Sequence, residues 1–350
     1  MENNDVDFTE PPQQKNQKLR SYRIVCAKLG LIMCVYFICR LISIWAADLL
    51  NNASEILGSS MYRLLSTLII IILVYIIPIL FAATVFNSYE TYKGNFRILY
   101  KKPRRLARAL GTFPATFGLG HGVALLTLLI SYLLSRFLGG ETFIEDLLRP
   151  PIIEPPDTML SILIMVFLLV IIAPVFEEFL TRGIMFDVLK PYGTGMAIII
   201  SSILFGLMHG SLNMLFYTTA YGFALGYIRY ATGSLFTTTI LHAIINGIGA
   251  VALLLSAFLQ MTNEENMILN TINAIYLVAF LILIIVGVAV FFSKIPSMRK
   301  YKIENAWTDM SAGKKVACFF TSVPVIIMMI LAFNEIAGYW LMNLFLRNFA

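Results

Sequence analysis

Long apolar runs broken by short charged interruptions dominate this chain. The uncharged runs predict membrane-crossing helices at about Leu29–Ala47, Leu64–Phe86, Phe113–Phe137, Met159–Phe176, Met196–His209, Met214–Ile228, Leu235–Leu259, Ile268–Phe292 and Val316–Phe333. Most approach the roughly 20 residues that cross a bilayer as a helix. Residues 191–228 hold no Asp, Glu, Lys or Arg, which is too long for one ordinary span. Gly210 and Asn213 therefore mark a tight turn between two. The expected fold class is all-α, a polytopic integral membrane protein with about eight to nine transmembrane helices. Arg40 falls inside the first span, as an interior-facing or snorkelling side chain.

Composition agrees. The chain is 59% hydrophobic and 13% charged, whereas soluble domains carry about 25% charged residues. Mean hydropathy is +0.80. Between the second and third runs lie Lys93, Arg97, Lys101, Lys102, Arg104, Arg105 and Arg108. After the third lie Glu141, Glu145, Asp146, Glu154 and Asp157. The positive-inside rule puts the first loop in the cytoplasm and the second outside, with the N-terminus cytoplasmic and the C-terminus outside. A multi-pass protein of the cell membrane is expected. The net charge of +6 fits inner-leaflet anchoring and not nucleic-acid binding, because the basic residues cluster beside spans. Residues 1–22 lack the apolar core of a cleaved leader. Cys26, Cys34, Cys39 and Cys318 lie in or beside spans and read as reduced packing residues. The pairs Gly118/Gly122, Gly206/Gly210 and Gly222/Gly226 are small-residue contacts that let helices approach. The expected organisation is an unstructured polar arm (1–23), N-terminal spans and loops (24–158), a catalytic membrane core (159–260) and C-terminal spans (261–350).

The chemistry starts at Ala173–Gly183, which reads A-P-V-F-E-E-F-L-T-R-G. An ionised side chain at the centre of a membrane helix costs about 2.5–3.5 kcal/mol on insertion scales, and such groups are functional candidates. Glu178 and Arg182 are i and i+4, so they share a helix face and can pair. Glu177 lies about 100° round the helix and is left to face something else. A structural ion-pair cluster at a helix end is the simpler alternative. From Thr158 onward, 19 uncharged residues precede Glu177. They cover about 28 Å, which puts Glu177 near the inner end of the hydrocarbon core. Pro174 is expected to kink the helix just before it.

The chain holds three histidines. Phe205-Gly-Leu-Met-His209 and His242-Ala-Ile-Ile-Asn246 each place their end residues on one face. Phe205 can fix the ring of His209, and His242 and Asn246 can address one cavity. His121 has no partner motif and reads as structural. Taken singly, either histidine is a satisfied polar contact. Two histidines, an asparagine and two glutamates on separate spans satisfy one another only by meeting. Two chemistries fit. In one, Glu177 and a histidine activate a water while the other histidine and Asn246 donate to an oxyanion. In the other, Glu177, His209 and His242 hold Zn²⁺ or another divalent metal with an open position for water. With straight helices, His242 would lie about 12 Å and His209 about 20 Å from the inner surface, so Glu177 must sit deeper or the helices must bend.

E-E-x-x-x-R, F-x-x-x-H and H-x-x-x-N, in this order, resemble the CAAX-protease and bacteriocin-processing family of intramembrane proteases, which includes the type II CAAX prenyl proteases. The resemblance covers about Leu160 to Ala250. It implies an all-helical membrane endopeptidase in which Glu177 and His209 activate the water. It also implies that His242 and Asn246 stabilise the oxyanion, that Arg182 orients the glutamates, and that Glu178 supports them. The family has been described both as metalloproteases and as metal-independent glutamyl proteases. Asn246, a poor zinc ligand and a good oxyanion donor, favours the second, with no cofactor. The implied partners are the lipid bilayer and a peptide or protein substrate, membrane-associated or lipidated, prenylated or not. A non-catalytic immunity or scaffold protein and a proton-coupled transporter are the competing readings.

Overall fold

The computed structural model describes residues 12–52, 54–87, 101, 106–138, 158–262, 266–298 and 310–349. Among them every regular element is helical. The basic loop apart from Lys101 and Arg108, and the acidic loop before Asp157 and Asp157 itself, lie outside the described residues. We number the main helices α1 (Pro12–Asn51), α2 (Ser60–Val85), α3 (Phe113–Leu138), α4 (Met159–Tyr192), α5 (Thr194–Leu207) and α6 (Leu212–Thr232). The remainder are α7 (Leu235–Met261), α8 (Met267–Met298), α9 (Ala312–Phe320) and α10 (Val323–Phe349).

Among the described residues six helices are long and apolar enough to cross a membrane, or seven if the bent pair α9 and α10 forms one span. This is a polytopic, all-helical protein, roughly in line with the sequence pattern. Two of the expected spans differ in form. The predicted span at 196–209 is α5, only 14 residues long, which at 1.5 Å per residue is about 21 Å against a hydrocarbon core of about 30 Å. The predicted straight span at 316–333 is broken by a 71° bend between Phe320 and Val323. Ser322 and Pro324 flank that bend, and Thr321 turns its hydroxyl back onto the Ala317 carbonyl at 2.9 Å.

The outer helices present apolar side chains to the surroundings. On α8, Ile275, Val278, Ile282 and Ile285 are exposed, which suits hydrocarbon and would be costly in water. The interior is built around α5, where 11 of 14 residues are buried. Small residues let the helices close on it. Gly222 of α6 faces Ser202 of α5 so closely that a Cβ would sit 2.8 Å from the Ser202 Cα, and Gly118 of α3 meets Gly287 of α8 backbone to backbone. The four cysteines are free.

Residues 12–23, read from their polarity as an unstructured arm, are instead the opening turns of α1. Tyr22 is fully buried there and donates to the Lys315 carbonyl at 2.7 Å. Lys315 in turn donates to the Tyr192 carbonyl at 2.7 Å. The polar start of the chain is thereby anchored at the turn between α4 and α5.

Candidate active site

The site is assembled on α4. The helix runs beyond the apolar span expected at 159–176, through both glutamates, to Tyr192. Glu177 lies 15 residues before Tyr192 and His209 lies 15 residues after Thr194. With the chain reversing at Gly193, both fall at the same level, about 22 Å from the reversal. The depth mismatch expected from straight, separate spans is thus removed by the length of α4.

Two proline positions shape the helices here. In α4 the turn Leu168–Ile172 is π-helical, and the amide of Ala173 donates to the Leu168 carbonyl five residues back. In that register the next amide would satisfy Leu169, but residue 174 is proline and has no N–H. The side-chain amide of Asn246 supplies the missing donor, at 2.9 Å from the Leu169 carbonyl. The same pattern recurs in α2, where the π turn Ile71–Ile76 precedes Pro78. That turn carries Tyr75, whose hydroxyl donates to Oε1 of Glu177 at 3.3 Å.

Glu178 and Arg182 form the expected i, i+4 pair at 2.8 Å, both fully buried. The guanidinium also donates to the Thr181 hydroxyl at 2.7 Å and lies 4.2 Å from the Phe205 ring centroid. Glu178 has a further partner that helix geometry did not reveal. The same Oε1 lies 3.1 Å from Nδ1 of His242 on α7. The other ring nitrogen of His242 faces Oε2 of Glu177 at 3.8 Å. This is beyond direct hydrogen-bond reach and within the span of a shared water. The Glu178 side chain is sealed at 0% exposure while that of Glu177 retains 13%. Glu177 is therefore the carboxylate of the two that an incoming group can reach.

His209 stands at the end of α5, with Nδ1 2.9 Å from the Phe205 carbonyl. Donation there leaves Nε2 as an acceptor. The Phe205 ring packs edge-on against both histidines, 5.0 Å from His209 and 5.5 Å from His242. Among the described residues no hydrogen bond or ion pair joins Glu177 to His209. His121 is bonded to Tyr221 and stacked on Phe117 at 4.1 Å, apart from the glutamates.

Among the described residues no three His, Cys, Asp or Glu side chains are arranged to hold a metal ion. Of the candidate metal set Glu177, His209 and His242, each histidine has Nδ1 held, by the Phe205 carbonyl or by Glu178, and keeps Nε2 for the site, an arrangement that metal-ligating histidines also use.

Sequence reasoning missed Tyr75 and the link from Asn246 to Leu169. Tyr75 did leave a trace: apart from Pro78, it is the one residue between Leu68 and Leu80 that is not aliphatic. Comparison with known proteins follows the same residues. Residues 159–248 match the family model described as Type II CAAX prenyl endopeptidase Rce1-like. Searches of the curated proteins and of the solved structures found no match. The matched stretch contains all three motifs and ends two residues past Asn246. Residues 159–248 therefore form an Rce1-like domain of the CAAX-protease and bacteriocin-processing family.

Proposed function

We propose that the chain is an intramembrane endopeptidase that hydrolyses a peptide bond of a membrane-associated or lipidated substrate with a water activated by Glu177 and His209. The observation that carries the reading is the placing of His242 between the two adjacent glutamates, one buried and one reachable, inside an Rce1-like domain.

The roles follow from the donors and acceptors. Glu177 accepts a proton from water as its oxygen bonds to the scissile carbonyl carbon, with Nε2 of His209 as the second acceptor at the site. The carbonyl electrons move to oxygen, and the oxyanion needs donors. His242, its ring held through Nδ1 by Glu178, addresses the oxyanion from the other side of the ring. Asn246 has two amide hydrogens; one is taken by Leu169 and the other is free for the oxyanion. Collapse of the intermediate breaks the C–N bond, and the proton on Glu177 passes to the leaving amine. Glu178 and Arg182 orient the cluster.

Cleavage by the purified protein in detergent tests this, using a peptide library with prenylated and unmodified members. Wild type should cut, and Glu177→Ala and His242→Ala should not, while a strong chelator leaves the rate unchanged. Loss with chelator and recovery with Zn²⁺ would replace the mechanism with a metal-assisted one. Equal cleavage by all three proteins would assign the activity to a contaminant and overturn the reading.

A further inference from the structure

Two charged side chains far outside residues 159–248 reach the turn that carries His209. Arg40 of α1 and Glu335 of α10 form an ion pair between the first and last helices. Charges inside membrane helices are costly and rarely idle. Arg40 also donates from Nη1 to the Met208 carbonyl and from Nη2 to the His209 carbonyl, the latter at 3.2 Å. The Tyr36 hydroxyl adds a bond to Met208 at 3.0 Å. These carbonyls lie at the C-terminal end of α5, where intrahelical donors run out and a cation is favoured. The next residue, Gly210, has φ of 64°. A Cβ there would collide with the Glu335 carboxylate and come within 2.8 Å of Arg40 Nη2. His209 is consequently gripped twice: its ring by its own helix through Phe205, its backbone by Arg40.

We propose that Arg40 and Glu335 are a positioning pair for His209, so that the two ends of the chain complete a site whose reacting groups all lie in the Rce1-like domain. Arg40 is the working member. Glu335 aims its guanidinium, whose planar fork reaches two successive carbonyls as a lysine could not. The proposal rests on the protease reading for its catalytic meaning but not for its geometry.

The test uses the double variant Arg40→Met/Glu335→Met beside the single Arg40→Met. Glu335 is buried and Arg40 half-buried, and replacing both members of such a pair with apolar groups is less disruptive than removing one, which leaves a stranded charge. In the folded double variant, kcat for peptide cleavage should fall about 100-fold with KM within about 3-fold, as displacement of a reacting group does. In a His209→Ala background the same change should cost less than about 2-fold more, because both act on one group. A second readout needs no activity. With labelled histidine the chain has three ring signals, assignable by substitution. The His209 signal should move in the double variant while that of His121 stays. An unmoved His209 signal overturns the proposal, as does an unchanged kcat where wild type cleaves. If wild type cleaves nothing, the protease reading fails and the histidine signal alone decides the positioning role.

Discussion

His242 is held by Glu178: its Nδ1 lies 3.1 Å from Oε1 of the carboxylate, and both side chains are buried. A carboxylate on one nitrogen fixes the ring and directs the other nitrogen, here toward Glu177. Glu178 is thus joined to His242 as well as to Arg182. Glu178→Gln should lower the unfolding temperature, because it strands the buried Arg182 charge, and in the protein that remains folded should lower kcat about tenfold or more through loss of the His242 partner. Peptide cleavage at saturating substrate measures it. Retention of the full wild-type rate would make the contact incidental.

Removing Arg182 should act on stability first. Its guanidinium is fully buried against Glu178, and breaking such a pair by deleting one partner costs about 3–5 kcal/mol. Arg182→Ala is expected to lower the unfolding temperature in detergent well below that of Glu177→Ala, which leaves the buried pair intact.

Tyr75 offers a cleaner separation of activity from folding. Tyr75→Phe deletes a single hydroxyl that donates to Glu177. The expected result is a fall of about tenfold in kcat, equivalent to roughly 1.4 kcal/mol of barrier. The unfolding temperature should change little. An unaltered kcat would show that Tyr75 merely fills space.

Pro174→Ala restores a backbone N–H that competes with Asn246 for the Leu169 carbonyl. The helix should be as stable or more so, since alanine suits a helix interior better than proline. Cleavage should nevertheless weaken, because Asn246 loses its anchor. A variant both more stable and fully active would refute the link between the proline and the asparagine.

Gly210→Ala combines a left-handed backbone with a collision at Glu335 and Arg40. The conformation alone costs about 1–2 kcal/mol for a residue with a side chain. The substitution should lower both stability and kcat, which thermal unfolding and cleavage measure on the same sample.

The membrane class and the three motifs were legible because each depends on neighbours within one helix. Glu178 meets Arg182, and Phe205 meets His209, at the i, i+4 spacing that sequence displays. The contacts of Arg40 with Glu335, of Tyr75 with Glu177 and of Asn246 with Leu169 span chain separations that no periodicity records. Charge-free runs do not reveal helix length, so the pattern at 196–209 did not show that α5 is only 14 residues long. The sequence put the end of a span at Phe176, and the helix that carries Glu178 and Arg182 runs on to Tyr192.

The shortness of α5 has a further consequence. A helix of 14 residues beside one of 34 ends partway along its neighbour, so the turn that carries His209 is enclosed by the flanking helices α1 and α10. Under the proposed protease reading, each peptide bond hydrolysed would consume one water molecule at that enclosed place, and another would have to enter. For such an enzyme, hydration of the site between turnovers becomes a kinetic step in its own right, and turnover should respond to water activity as well as to substrate.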